Sequence, residues 1–318
     1  MTHYQQTFDL GRGSVQGRFV PLPYPPVFHT IAGILPGAVD DSNRILGALC
    51  QSLVCLLVFG FARRLFGDPW VSVGAGVLTA FLPEYLLEFL RTSSPALLGH
   101  LLDLAAVTFL VLGWERLQNR GGTAILAVAL ATCTLAYNAS PLYWAVFLPL
   151  VLVASSLPPP IEGRSRLLVG TAVGAALSLI YYGPYMLVAL PAVFQSSAQG
   201  PSLTDRLHVA FMGWDAFGLP YLLAMGWAAF VVVPKLQPRS AGRVITAWLL
   251  FILAISIPVF FFPEPLYYFR RLFFALPLAT LLAPQAATGN KLRILLIAIL
   301  LGWSLYRLTF FIAPFFVT

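Results

Sequence analysis

Long apolar runs broken by short polar turns dominate the chain. Ten of them approach the roughly 20 residues needed to cross a bilayer as helix. They cover 45–62, 70–87, 95–114, 123–138, 141–157, 167–190, 211–233, 244–262, 269–287 and 292–312. The fourth and fifth form a tight hairpin broken at Asn138 and Pro141. No stretch of 20–50 residues recurs, which excludes a repeat solenoid. The pattern predicts an all-α, polytopic membrane helical bundle of about ten transmembrane helices. Residues 1–44 form an external loop with an amphipathic segment, and 45–318 form the transmembrane domain.

Composition sharpens this picture. The 318 residues are 59% hydrophobic and 10% charged, against about 25% charged in soluble domains. The net charge of +7 does not indicate nucleic-acid binding, because most basic residues flank spans. Cys50, Cys55 and Cys133 lie inside apolar runs without disulfide or metal spacing. Residues 1–20 carry no basic stretch followed by an apolar core, so no signal peptide is read there.

Alternate loops are basic. Arg63, Arg64, Arg116, Arg120, Arg164, Arg166, Lys235, Arg239, Arg243, Lys291 and Arg293 are eleven of the nineteen lysines and arginines. The positive-inside rule places them in the cytoplasm. Residues 1–44, 88–94, the Tyr137–Ser140 turn, 191–210, 263–268 and the C-terminus then lie outside, in what reads as a prokaryotic plasma membrane. A polar N-terminal segment bearing Arg12, Arg18 and Arg44 needs something to carry it across. The expectation is a preceding helix, missing from this chain, with export by the first span as the other reading.

The N-terminal segment centres on Leu22-Pro23-Tyr24-Pro25-Pro26-Val27-Phe28-His29. Three prolines in four residues read as loop rather than helix interior.

Acidic residues gather toward the outer side. Asp68, Glu115 and Glu162 read as solvated cytoplasmic charges. Glu84, Glu88 and Arg91 would share one helix face, at spacings of four and three. Two adjacent carboxylates can supply a base or a metal ligand, and an interfacial helix end with a solvated pair explains them equally. His100 and Asp103 also share a face, with Asp103 about 12 Å deep. An intramembrane aspartate is costly, so the pair is either a proton relay or a structural contact between helices. Arg270 and Arg271, capped by Tyr267 and Tyr268, suit a lipid phosphate or simple interfacial anchoring. Arg91 and His29 are further candidate phosphate contacts, with packing as the other reading of His29. Gly74/Gly76 and Gly170/Gly174 are small-residue positions for helix packing.

In order and topology, several pieces resemble the GT-C class of membrane glycosyltransferases. These are Thr2-His3-Tyr4-Gln5, Tyr24-Pro25-Pro26-Val27-Phe28-His29, Ala62-Arg63-Arg64-Leu65-Phe66-Gly67, Ser94-Pro95-Ala96-Leu97-Leu98-Gly99 and the run FRRLFFALPLATLLAP over 269–284. The class includes protein mannosyltransferases, oligosaccharyltransferase catalytic subunits and lipid A aminoarabinose transferases. The resemblance implies sugar transfer from a polyprenyl-phosphate carrier at the outer face. It implies Glu84 and Glu88 as catalytic carboxylates and Arg270 and Arg271 as contacts to lipid phosphate, with a divalent metal such as magnesium or manganese left open. Members carry an essential acid as Asp-x-x-x-His soon after a first helix. If His3 is that histidine, the acid falls before Met1. Asp9 is a substitute on the wrong side of His3. The alternatives are a GT-C-related subunit that binds protein partners without turnover, and a proton-coupled transporter using His100 and Asp103.

Overall fold

A computed structural model describes residues 26–35, 39–82, 94–137, 140–196, 219–256 and 276–316. Among them the regular elements are helices, without a strand. In chain order they are α1 (Pro26–Ile34), α2 (Val39–Phe66), α3 (Pro69–Ala80), α4 (Ser94–Leu112), α5 (Arg120–Ala136), α6 (Ser140–Ser156) and α7 (Arg164–Ser196). Then come α8 (Leu219–Lys235), α9 (Arg239–Ser256), α10 (Leu276–Ala286) and α11 (Asn290–Phe316).

Each of the ten apolar runs carries helix, but the expectation of ten membrane spans is not met among the described residues. Four helices are long and apolar enough to cross: Asp41–Phe66, Pro95–Leu112, Arg164–Pro184 and Asn290–Thr309. Five other apolar helices are shorter. The physical reason is length. α3 has 12 residues, about 18 Å at 1.5 Å per residue, against a hydrocarbon core of about 30 Å.

The proline-rich segment also departs from expectation. Pro26 opens α1, so Phe28 and His29 lie in helix rather than loop. Proline is tolerated in the first turn because its missing N–H would have had no partner there. Phe28 is fully buried and anchors α1, which packs on α2, α4 and α5. The first long helix starts at Val39, six residues before the expected domain boundary.

α4 is the central helix. Two thirds of its span is buried (67%), against 17% for that of α11. It packs on α2, α5 and α9. α5 pairs with α7, α6 with α9, and α3 with both α2 and α11. Between α6 and α9, Phe251 meets Phe147 and Tyr143 edge-on, at 5.8 and 6.2 Å between ring centroids. α2 exposes Ile45, Leu49, Leu53 and Leu56, an apolar stripe suited to hydrocarbon surroundings. The small-residue expectation holds. A Cβ on Gly170 would lie 3.0 Å from Leu126 Cδ2, and one on Gly174 would lie 2.9 Å from the Ala127 carbonyl. These two positions let α7 approach α5 closely.

Candidate functional site

Among the described residues, Asp103 is the one fully buried carboxyl group. Asp103 is 1% exposed, in the middle of α4. Ser140 and Trp144 lie four residues apart at the start of α6, so both face the same neighbour. Ser140 Oγ donates to Asp103 Oδ2 at 2.8 Å. Trp144 Nε1 donates to Asp103 Oδ1 at 2.8 Å. Cys133 of α5, also buried, adjoins both Asp103 and Trp144. Three helices therefore meet on one carboxyl group, and each oxygen has a dedicated neutral donor. A buried carboxyl without such donors would cost several kcal/mol.

His100 sits one turn before Asp103 and is 3% exposed. Its ring meets Tyr137 edge-on, with centroids 5.1 Å apart and an interplanar angle of 69°. Gly99 makes this possible, because a Cβ there would collide with the Tyr137 side chain. The His100–Asp103 spacing thus produces two adjacent contacts, one to the end of α5 and one to the start of α6.

Beside this cage lies a cleft of about 520 Å³ between α5, α6 and α7. Its walls include Leu130, Ala145, Leu148 and Leu179, with Trp144 and Tyr182 as the aromatic members. The hydroxyls on its wall are turned to backbone. Thr134 Oγ1 donates to the Leu130 carbonyl and Ser178 Oγ to that of Gly174, both at 2.9 Å. Tyr182 Oη donates to the Thr134 carbonyl at 3.2 Å. The cleft offers apolar surface, while Asp103 stays behind the Trp144 ring and is not one of its wall residues. The cage ties α4, α5 and α6 together, and the wall of the cleft is mainly apolar.

A second polar junction lies at the ends of α3 and α11. Asp68 caps α3, with Pro69 at the first helical position. Its Oδ1 accepts from Trp70 N at 2.8 Å and Val71 N at 3.3 Å. Its Oδ2 pairs with Arg293 Nη1, and Arg293 Nε donates to the Pro284 carbonyl at 3.2 Å. Burial pushes the Asp68 carboxyl upward, but the two N–H groups and the guanidinium outweigh it and hold the carboxyl below its ordinary value. Asp68 is therefore not the solvated charge expected from sequence. The readable signal was Asp-Pro immediately after Gly67, which closes α2 with φ +71°.

Asp9, Glu84, Glu88, Arg91, Arg270 and Arg271 are outside the described residues, as is the side chain of His29. Of the candidates, the structure brings His100 and Asp103 onto one face of α4. Sequence reasoning missed Ser140, Trp144 and Cys133 as their surroundings, although an unexplained aspartate deep in a span calls for donors on a neighbouring helix. Among the described residues no three His, Cys, Asp or Glu side chains gather to hold a metal. No family model matches the chain, and no curated protein matches it.

Proposed function

We propose that the protein transfers a sugar from a polyprenyl-phosphate carrier at the outer face of the membrane, as a GT-C-like glycosyltransferase. The observation that carries this reading is the order of pieces along a chain whose described residues are helical, with four helices long and apolar enough to cross a membrane. Tyr24-Pro25-Pro26 comes first, then the carboxylates Glu84 and Glu88, then Arg270 and Arg271. In the reaction an acceptor oxygen bonds to the anomeric carbon as the bond from that carbon to the phosphate oxygen breaks. Glu84 or Glu88 takes the acceptor proton or holds a divalent cation. The electron pair leaves with the lipid phosphate, where Arg270 and Arg271 stabilise the charge that develops.

The test is release of polyprenyl phosphate from a labelled polyprenyl-phosphate sugar, using the full chain in lipid nanodiscs with membrane extract as acceptor. Glu84→Gln or Glu88→Gln should lower turnover by about 100-fold or more. The Arg270→Gln/Arg271→Gln variant should lower it comparably. Turnover unchanged in all these variants would remove the assignment. Absent turnover, together with stable co-purification of a protein partner, would replace it with a non-catalytic subunit.

A further inference from the structure

The turn between α6 and α7 gathers guanidinium groups from two helices, and its own carboxylate, Glu162, pairs with neither. Arg164, the first residue of α7, donates from Nη1 to Ser156 Oγ at 3.1 Å. Arg243, one turn into α9, donates from Nη2 to the Pro158 carbonyl at 3.0 Å. Two guanidiniums from different helices thus reach the same three-residue segment, Ser156 to Pro158. Both residues are half-buried, and their hydrogen bonds to the turn are surface-exposed. Glu162 lies in the same turn but forms no ion pair with either guanidinium; among the described residues the ion pair is Arg293 with Asp68.

The turn itself is held. Trp114 Nε1 donates to the Glu162 carbonyl at 2.7 Å. Gly163 takes φ +95° over the Trp114 ring. The Ile161 amide returns to the Ser155 carbonyl at 3.0 Å. A fixed backbone therefore presents two forked cations, each with five N–H donors. That geometry suits phosphate oxygens better than a single point charge would.

The surroundings choose the source of the phosphate. One turn below Arg164, Leu168 is 53% exposed on α7. Val153 on α6 and Leu157, the first residue past its end, are 61% and 47% exposed. The cations sit at the polar end of this apolar surface. Phosphate at the top with hydrocarbon beneath is the chemistry of a phospholipid. Basic residues between helices at a membrane rim are a recognised way of selecting anionic lipids. A free phosphate would have no use for the apolar flank.

We propose that Arg164 and Arg243 form a binding site for the phosphate headgroup of an anionic membrane lipid, whose chains lie along Val153, Leu157 and Leu168. The site is independent of the glycosyltransferase reading and uses none of its residues. The full chain, purified in detergent, is titrated with phosphatidylglycerol or phosphatidylcholine, and bound lipid is counted by native mass spectrometry alongside the thermal midpoint. Wild type should retain phosphatidylglycerol preferentially. Arg164→Gln/Arg243→Gln should lose about tenfold or more of that preference, and Arg164→Lys/Arg243→Lys should keep part of it. The midpoint in phosphatidylcholine should change little in either variant. A preference unchanged in the glutamine variant would overturn the proposal. So would an equal fall of the midpoint in both lipids, which would make the arginines plain caps of α6. Stabilisation by inorganic phosphate matching that by phosphatidylglycerol would overturn the lipid assignment.

Discussion

Asp103 and Asp68 are the same side chain solved in two ways. Asp68, at the rim of the bundle and 30% exposed, is held by backbone N–H groups and a cation. Asp103, in the bundle interior, is held by a hydroxyl and an indole, both neutral. Water near the rim lowers the desolvation cost of an ion pair, so a guanidinium is affordable there. In the interior a second charge would add its own desolvation penalty, whereas neutral donors satisfy the oxygens without one. Position in the bundle, rather than residue type, decides which partner an acid receives.

The comparison breaks most visibly at Asp103. Asp103→Ala leaves the Ser140 hydroxyl and the Trp144 indole without their acceptor, and should cost on the order of 3 kcal/mol in reversible detergent unfolding. Asp103→Asn keeps an acceptor for the indole and should spare most of that loss. If alanine and asparagine cost the same, neutral satisfaction is the wrong explanation. Loss of proton-coupled uptake in the asparagine variant would revive the transporter alternative. Gly99→Ala tests the adjacent contact. The added methyl must displace Tyr137 from His100, at about 1–3 kcal/mol by overpacking, read as a lower thermal midpoint.

Asp68→Ala removes a cap and an ion-pair partner, and should cost about 1–2 kcal/mol. Its signature is pH dependence. The Asp68 carboxyl lies below its ordinary value in the folded chain. Its contribution is thus complete above the unfolded value of about 4 and lost as pH falls through the folded value. Asp68→Asn should flatten the acid limb of the stability curve below about pH 4. An unchanged acid limb would show that Arg293 and the cap add no net stability.

Helix positions were legible because apolar runs and basic turns repeat along the chain, and every expected run carries helix. Span lengths were less legible. Hydropathy marks where apolar residues lie, but α3 stops at Phe81, whose amide closes on the Val77 carbonyl. Pro26 misled in the opposite direction, since proline ends a helix or begins one depending on which side the chain continues. His100 and Asp103 stood out on their own helix. Their partners did not, because Ser140 and Trp144 are 37 and 41 positions away. Periodicity reports neighbours along one helix and carries no information about which other helix packs against it.

The ring of Trp144 is wall to the cleft on one face and donor to Asp103 at its edge. Occupancy of the cleft and integrity of the carboxyl cage therefore share one degree of freedom. Whatever fills the cleft and turns the indole changes the cage, and whatever changes the cage alters the cleft's affinity by the same factor. Trp144 is in this sense the coupling element between the two.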